Sequence, residues 1–163
     1  QISDADLAQI IEVGTYAPSA HNEQPWYFTA VQNKDLLESI NLRVNAVMAK
    51  SDNEWLRGLG GNTAFRATYN APTVIFVSGR KQAIATETDC AAAIMNMMNA
   101  AQSLGIASVW IGLLWPYINS DEANAELKIP EGYMLLHAAA FGYRAGPQPP
   151  VPPRNTNIVT YIR

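Results

Sequence analysis

The 163-residue sequence is poor in charge, in cysteine and in histidine. Cys90 is the only thiol, which excludes an intrachain disulfide framework and any cysteine-based zinc centre. His21 and His137 are the only imidazoles, too few for a histidine-rich metal site. Asp, Glu, Lys and Arg make up 15% of the chain, with 14 acids against 11 bases, so it carries no basic stripe for a nucleic-acid backbone. Low charge together with 48% hydrophobic residues also excludes extensive disorder and supports one domain with a single sizeable core. No charged side chain occurs between Cys90 and Ser120, yet Asn96, Asn99, Gln102, Ser103 and Gly105 interrupt that stretch. A membrane span needs about 20 nearly continuous apolar residues, so a buried helix followed by a buried strand is expected instead. The chain opens on a polar, acidic segment rather than a signal-peptide pattern, and a cytoplasmic protein is expected.

The elements are well punctuated. Ser3 followed by Asp6 is a variant of the capping box and predicts a first helix carrying Leu7, Ile10 and Ile11, with Gly14 as its stop. Trp26 to Val31 reads as a strand, and Asp35 to Ala49 as a helix with Leu36, Leu37, Ile40, Val44 and Val47 on one face. Ser51 to Asn70 has little pattern. The β-branched run Thr73 to Ser78 predicts a central strand, and Thr86 with Asp89 predicts a capped helix to Leu104. That helix is apolar on nearly every side, so a partner subunit is expected to cover part of it. Ala107 to Leu114 and Tyr133 to Tyr143 read as strands, with a short helix from Ser120 to Leu127 between them. The run Pro147 to Pro153 favours polyproline II, and the ten residues from Ala145 to Arg154 can carry the β-prone end, Asn157 to Ile162, roughly 30 Å from the strand before it. A lone strand is unstable, so that end must join its own sheet or a neighbour's.

Familiar catalytic patterns are missing. Neither a dinucleotide-binding glycine motif, a phosphate-binding loop nor a nucleophile elbow occurs, and Gly58 to Gly61 lacks the flanking strand and helix. Cys90 in an apolar helix reads as an inert buried thiol, and His137 as a hydrogen-bonded core histidine. The loop from Ala17 to Trp26 differs: two prolines stiffen a segment holding Ser19, His21, Asn22, Glu23 and Gln24. It is either a connector that satisfies its own backbone or a rigid polar platform for a ligand.

That loop, Ala-Pro-Ser-Ala-His-Asn-Glu-Gln-Pro-Trp, resembles the signature of the nitroreductase family, whose members are FMN-dependent homodimers. Further matches follow in order: Ala71-Pro72 before the Val-Ile-Phe strand, Asp89 to Ala101 leading to Leu104-Gly-Ile-Ala-Ser-Val-Trp-Ile-Gly112, and Ile129 to Tyr133 leading to Phe141-Gly-Tyr143. The resemblance covers nearly the whole chain. It implies an α+β fold with a mainly antiparallel sheet flanked by helices and a C-terminal strand exchanged between the subunits of a dimer. It further implies FMN at the interface, met by Pro18, Ser19, Ala20 and Asn22 of one subunit and by Ile111, Gly112 and Leu113 of the other. Arg154 would pair with the phosphate, and Asn62 would reach the pyrimidine edge or ribityl chain. The family carries an arginine-rich segment before the first helix, so 1–163 is expected to be one domain lacking that basic segment. The activity implied is ping-pong hydride transfer from NAD(P)H to nitroaromatic or quinone-like acceptors, with Phe65, Trp115 and Tyr117 as candidate pocket walls. The alternative is a non-catalytic flavin-binding or structural dimer of the same fold. Dehalogenating and flavin-destroying relatives of this fold add lids, and Arg57 to Tyr69 is the segment where one would lie.

Overall fold

The apolar runs at 73–78 and 133–143 form the centre of a four-stranded antiparallel sheet. The computed structural model describes residues 1–148 and 150–163. Its strands are β1 (Trp26–Val31), β2 (Thr73–Arg80), β3 (Ala107–Trp110) and β4 (Tyr133–Gly142), in the order β1-β2-β4-β3. Alternate residues of β2 face opposite sides, so one strand feeds two cores. Val74 and Phe76 join Val44, Met48, Leu114 and Tyr117 on one face. Ile75 and Val77 join Ile10, Ile94, Met97 and Ala101 on the other. The first face is covered by α2 (Lys34–Met48), α3 (Glu54–Gly61), α5 (Trp115–Ile118) and α6 (Asp121–Glu126), the second by α1 (Asp4–Thr15) and α4 (Thr86–Ser103). The result is helix, sheet and helix in three layers. Between Val77 and Ser78 the partner in β4 jumps from His137 to Leu135, so Leu136 is the extra residue of a β-bulge.

Several expectations change in three dimensions. Ser3 does cap α1, accepting from Asp6 N–H at 3.1 Å, but Gly14 does not stop it. Gly14 lies inside the helix at its crossing with α4, where a Cβ would stand 2.7 Å from Met97 Cγ. Thr86 is no cap either: its hydroxyl donates to the carbonyls of Arg80 and Ala83, and α4 begins without a side-chain cap. The strand foreseen to Leu114 ends at Trp110. Ile111 N–H still bonds Ala138 O at 2.8 Å, and then Gly112–Leu114 coils into a 3-10 turn. Ser51 to Asn70, blank in sequence, holds α3 and a loop clamped to α2 by the Arg66–Glu38 ion pair, by Asn41 with Thr68 and by Asn45 Nδ2 on Phe65 O. The candidate lid segment is therefore a fastened loop. Asn157–Ile162 forms no strand and is exposed, with Ile158 69% and Ile162 96% accessible, and of the proline run before it Pro149 lies outside the described residues. Among the described residues no helix is long and apolar enough to cross a membrane.

Candidate functional site

The loop before β1 is backbone under tension. His21, Asn22 and Gln24 have φ of 51°, 55° and 45°, a left-handed region that costs a non-glycine residue about 1 kcal/mol or more. Hydrogen bonds hold it at both ends. At the entry, Ala20 N–H points at the Asp89 carboxylate, 3.1 and 3.3 Å from its two oxygens. At the exit, Glu23 Oε2 accepts from Ile84 N–H at 2.8 Å and Glu23 O accepts from Arg80 Nη2 at 3.0 Å. Within the loop, Ser19 Oγ accepts from Gln24 N–H, and Asn22 Oδ1 accepts from Gln24 Nε2, both at 3.0 Å. His21 and Asn22 remain exposed at the tip, and Pro18 is exposed beside them.

The second group forms where β3 leaves the sheet. Ile111 is buried in the core and Leu113 is half-buried against it, whereas Gly112 is exposed and a Cβ there would meet no atom within 4 Å. Bare backbone is thus presented outward, a surface that a flat molecule can approach closely. Trp115 follows it, 44% exposed, while Tyr117 is buried and Phe65 half-buried in the core. The aromatic wall foreseen from sequence is thereby reduced to Trp115. Asn62 is exposed just after α3, with its Oδ1 accepting from Ala64 N–H at 3.0 Å. Arg154 is exposed in the C-terminal segment.

The loop and the Gly112 turn lie toward the same end of the sheet but on opposite edges, with β2 and β4 between them. Three inter-strand spacings separate them, about 14 Å. Two cavities, of about 460 and 710 Å³, open at the other end, lined by Gln32, Asn41 and Pro72 and by Pro72, Ser108 and Tyr143. None of the candidate residues lines either one. Among the described residues no group of three or more acids, cysteines and histidines is placed to hold a metal. His137 meets the Glu87 backbone, its ring meets Trp110 edge-on at 4.8 Å between centroids, and its Nε2 alone is buried without a partner. Burial, outweighing the Glu87 backbone, draws it below its ordinary value and favours the neutral ring. Burial likewise pushes the Cys90 thiol up to about 12, which fits an inert side chain. The sequence reading missed Asp89, Arg80 and Glu23 as anchors of the loop. The charged positions near its ends and at the start of α4 were the available signal.

Comparison with known proteins places this geometry in a family. The pattern described as "Nitroreductase family" matches residues 1–143. A crystal structure of an FMN-bound nitroreductase from Bacteroides fragilis superposes with a TM-score of 0.90 at 37% identity, covering 100% of this chain and 89% of that one. A second FMN-bound nitroreductase, from Desulfitobacterium hafniense, superposes at 0.87 with 27% identity, again over 100% and 89%. A protein of Archaeoglobus fulgidus with the provisional name NADH dehydrogenase/NAD(P)H nitroreductase is 31% identical over 149 residues, 88% of this chain and 75% of its own length. With the family pattern spanning α1 through β4 and the antiparallel sheet superposing throughout, the chain belongs to the nitroreductase family.

Proposed function

We propose that this protein is an FMN-dependent oxidoreductase that transfers a hydride from NAD(P)H to nitroaromatic or quinone-like acceptors in a ping-pong cycle. It works as a homodimer with two sites between its subunits. The observation that carries this reading is the pair of outward-facing half-sites, a pinned polar loop and a bare glycine turn, on opposite edges at one end of the sheet. Neither half encloses a ligand by itself, and each complements the other across a two-fold axis. The exposed apolar end, with Val151, Ile158, Val159, Tyr161 and Ile162 all at least 60% accessible, supports exchange of that segment with a partner. Exposed Met95 on α4 supports an intersubunit contact there as well.

The residues present fit FMN. Asn22 and Gln24 offer amide donors and acceptors to a heterocycle edge, and Ser19 keeps its hydroxyl proton to donate. Gly112, flanked by buried Ile111 and half-buried Leu113, gives a flat ring a close backbone seat. Asn62 is assigned to the polar chain of the cofactor, and Arg154 to its phosphate, which a guanidinium binds through paired hydrogen bonds. When bound, FMN supplies the hydride chemistry, and the protein needs no acid–base pair of its own. Trp115 offers an exposed aromatic face against which the nicotinamide and then the acceptor can lie.

Titration with FMN followed by anaerobic addition of NADH or NADPH tests this. Binding should quench the flavin fluorescence, and one of the two nicotinamides should bleach the visible band, restored by a nitroaromatic or a quinone. Bleaching without reoxidation by either acceptor class would reject the acceptors. A bound flavin that neither nicotinamide reduces would mark the protein as a non-catalytic flavin-binding dimer. Failure to take up FMN would reject the reading altogether.

A further inference from the structure

We propose that Asp89 is a positioning residue that sets the 18–24 loop in its ligand-meeting shape through the Ala20 N–H. The role rests on the reading of that loop as an FMN contact. Asp89 is a carboxylate at the start of α4, only 5% exposed, and both its oxygens lie within 3.3 Å of one backbone nitrogen 69 residues away. A buried acid calls for a stated reason, because leaving it poorly partnered is unfavourable. Its hydrogen-bond partner, Ala20, is the residue that opens the strained turn. Ala20 is followed at once by His21 and Asn22 with φ of 51° and 55°, and strain of that kind persists only where the surroundings over-determine it.

The anchors are unequal. Glu23 is tied at the exit by Ile84 N–H and Arg80, in contacts that are partly solvent-exposed. The Ser19–Gln24 bond is exposed as well. Of these anchors only Asp89 is a buried side chain, and its part-buried contacts with the Ala20 N–H are less open to competition from water than the exposed ones. Its position also decides which groups face outward. With Ala20 N–H turned toward α4, the side chains of Ser19, Asn22 and Gln24 become the polar edge of the loop. Asp89 acts through the backbone it holds.

The test compares Asp89→Ala and Asp89→Asn with the unaltered full-length protein by amide hydrogen exchange and by the dissociation constant for FMN. Loss of a hydrogen bond to a charged acceptor should weaken FMN binding about ten-fold or more in Asp89→Ala. Exchange should accelerate at residues 19–24 while β2 and the second half of α4 stay protected. Asp89→Asn keeps an acceptor oxygen and should recover most of the affinity and protection. A folded Asp89→Ala protein with unchanged exchange at 19–24 and unchanged affinity overturns the assignment. If Asp89→Ala does not fold, Asp89→Ser takes its place, since its shorter side chain stays polar but draws back from the Ala20 N–H; unchanged exchange at 19–24 with unchanged affinity in that variant overturns the assignment equally. The exchange readout needs no cofactor: an unaltered protein that takes up no FMN rejects the functional reading, while acceleration confined to 19–24 still decides whether Asp89 holds the loop.

Discussion

Arg43, Glu126 and Tyr117 tie α2, α5 and α6 together immediately after the Gly112 turn. The Arg43 guanidinium meets the Glu126 carboxylate through two bonds of 2.8 and 3.1 Å, and lies 5.1 Å from the centre of the Tyr117 ring. The Tyr117 hydroxyl donates to the same carboxylate at 2.9 Å. Its hydrogen bond from Arg43 holds the Glu126 carboxyl below its ordinary value of 4.5, against the opposing effect of burial. A carboxyl held low in the folded state stabilises above its unfolded value, and that stabilisation is lost as pH falls through the folded one. Urea titrations from pH 6 to about pH 3 should therefore show a component of acid destabilisation that Glu126→Gln lacks. It should be below about 1 kcal/mol, because both side chains of the pair are about a third exposed and water screens them. Tyr117→Phe should cost about 1 kcal/mol at neutral pH by removing one hydrogen bond from a buried ring. Single residues also mark where the sequence was readable. Pro18 and Asn22 were legible as candidates because proline and short amides act through local backbone chemistry, whereas Gly112 was reached only through the family resemblance. Asp89 was legible as a supposed cap and as the start of a family match but not as an anchor, since its partner Ala20 is 69 positions away.

Helix α3 contains its own control experiment. A Cβ on Gly60 would overlap the backbone of α2 at Ala49 and Asn45, whereas a Cβ on Gly58 would meet nothing within 4 Å. Gly60→Ala should destabilise by about 1–3 kcal/mol through overpacking, and Gly58→Ala should stabilise by up to about 1 kcal/mol through helix propensity. Thermal melts of the two variants should move in opposite directions. The same distinction explains which elements the sequence revealed. The start of α1 follows from its Ser3 cap, and α2 and β2 follow from period and β-branching to within two residues of their ends, signals carried by neighbours along the chain. Gly14 and α3 were misread or unread because their glycines answer to another helix: Gly14 to Met97, Gly60 to α2. The premature end of β3 has a similar source. Ile111 to Leu114 is as apolar as a strand, but its side chains fill the core from a turn, and composition alone does not separate those two states.

The molecule as a whole divides its candidate residues between the two borders of one sheet, and that division makes a genetic statement. Consider one chain disabled in the loop by Asn22→Ala with Gln24→Ala, and a second disabled in the turn by a bulky residue at Gly112. In the proposed dimer, a pair built from one of each places both lesions in one site and leaves the other intact. Equal mixing and reassembly of two inactive preparations should thus restore about a quarter of normal turnover, since about half the pairs are mixed and each has one working site. Activity measured before and after mixing reads this directly, and a persistently dead mixture would mean that each chain builds its site alone. In the proposed dimer a damaged copy of the chain can still be rescued by a differently damaged one.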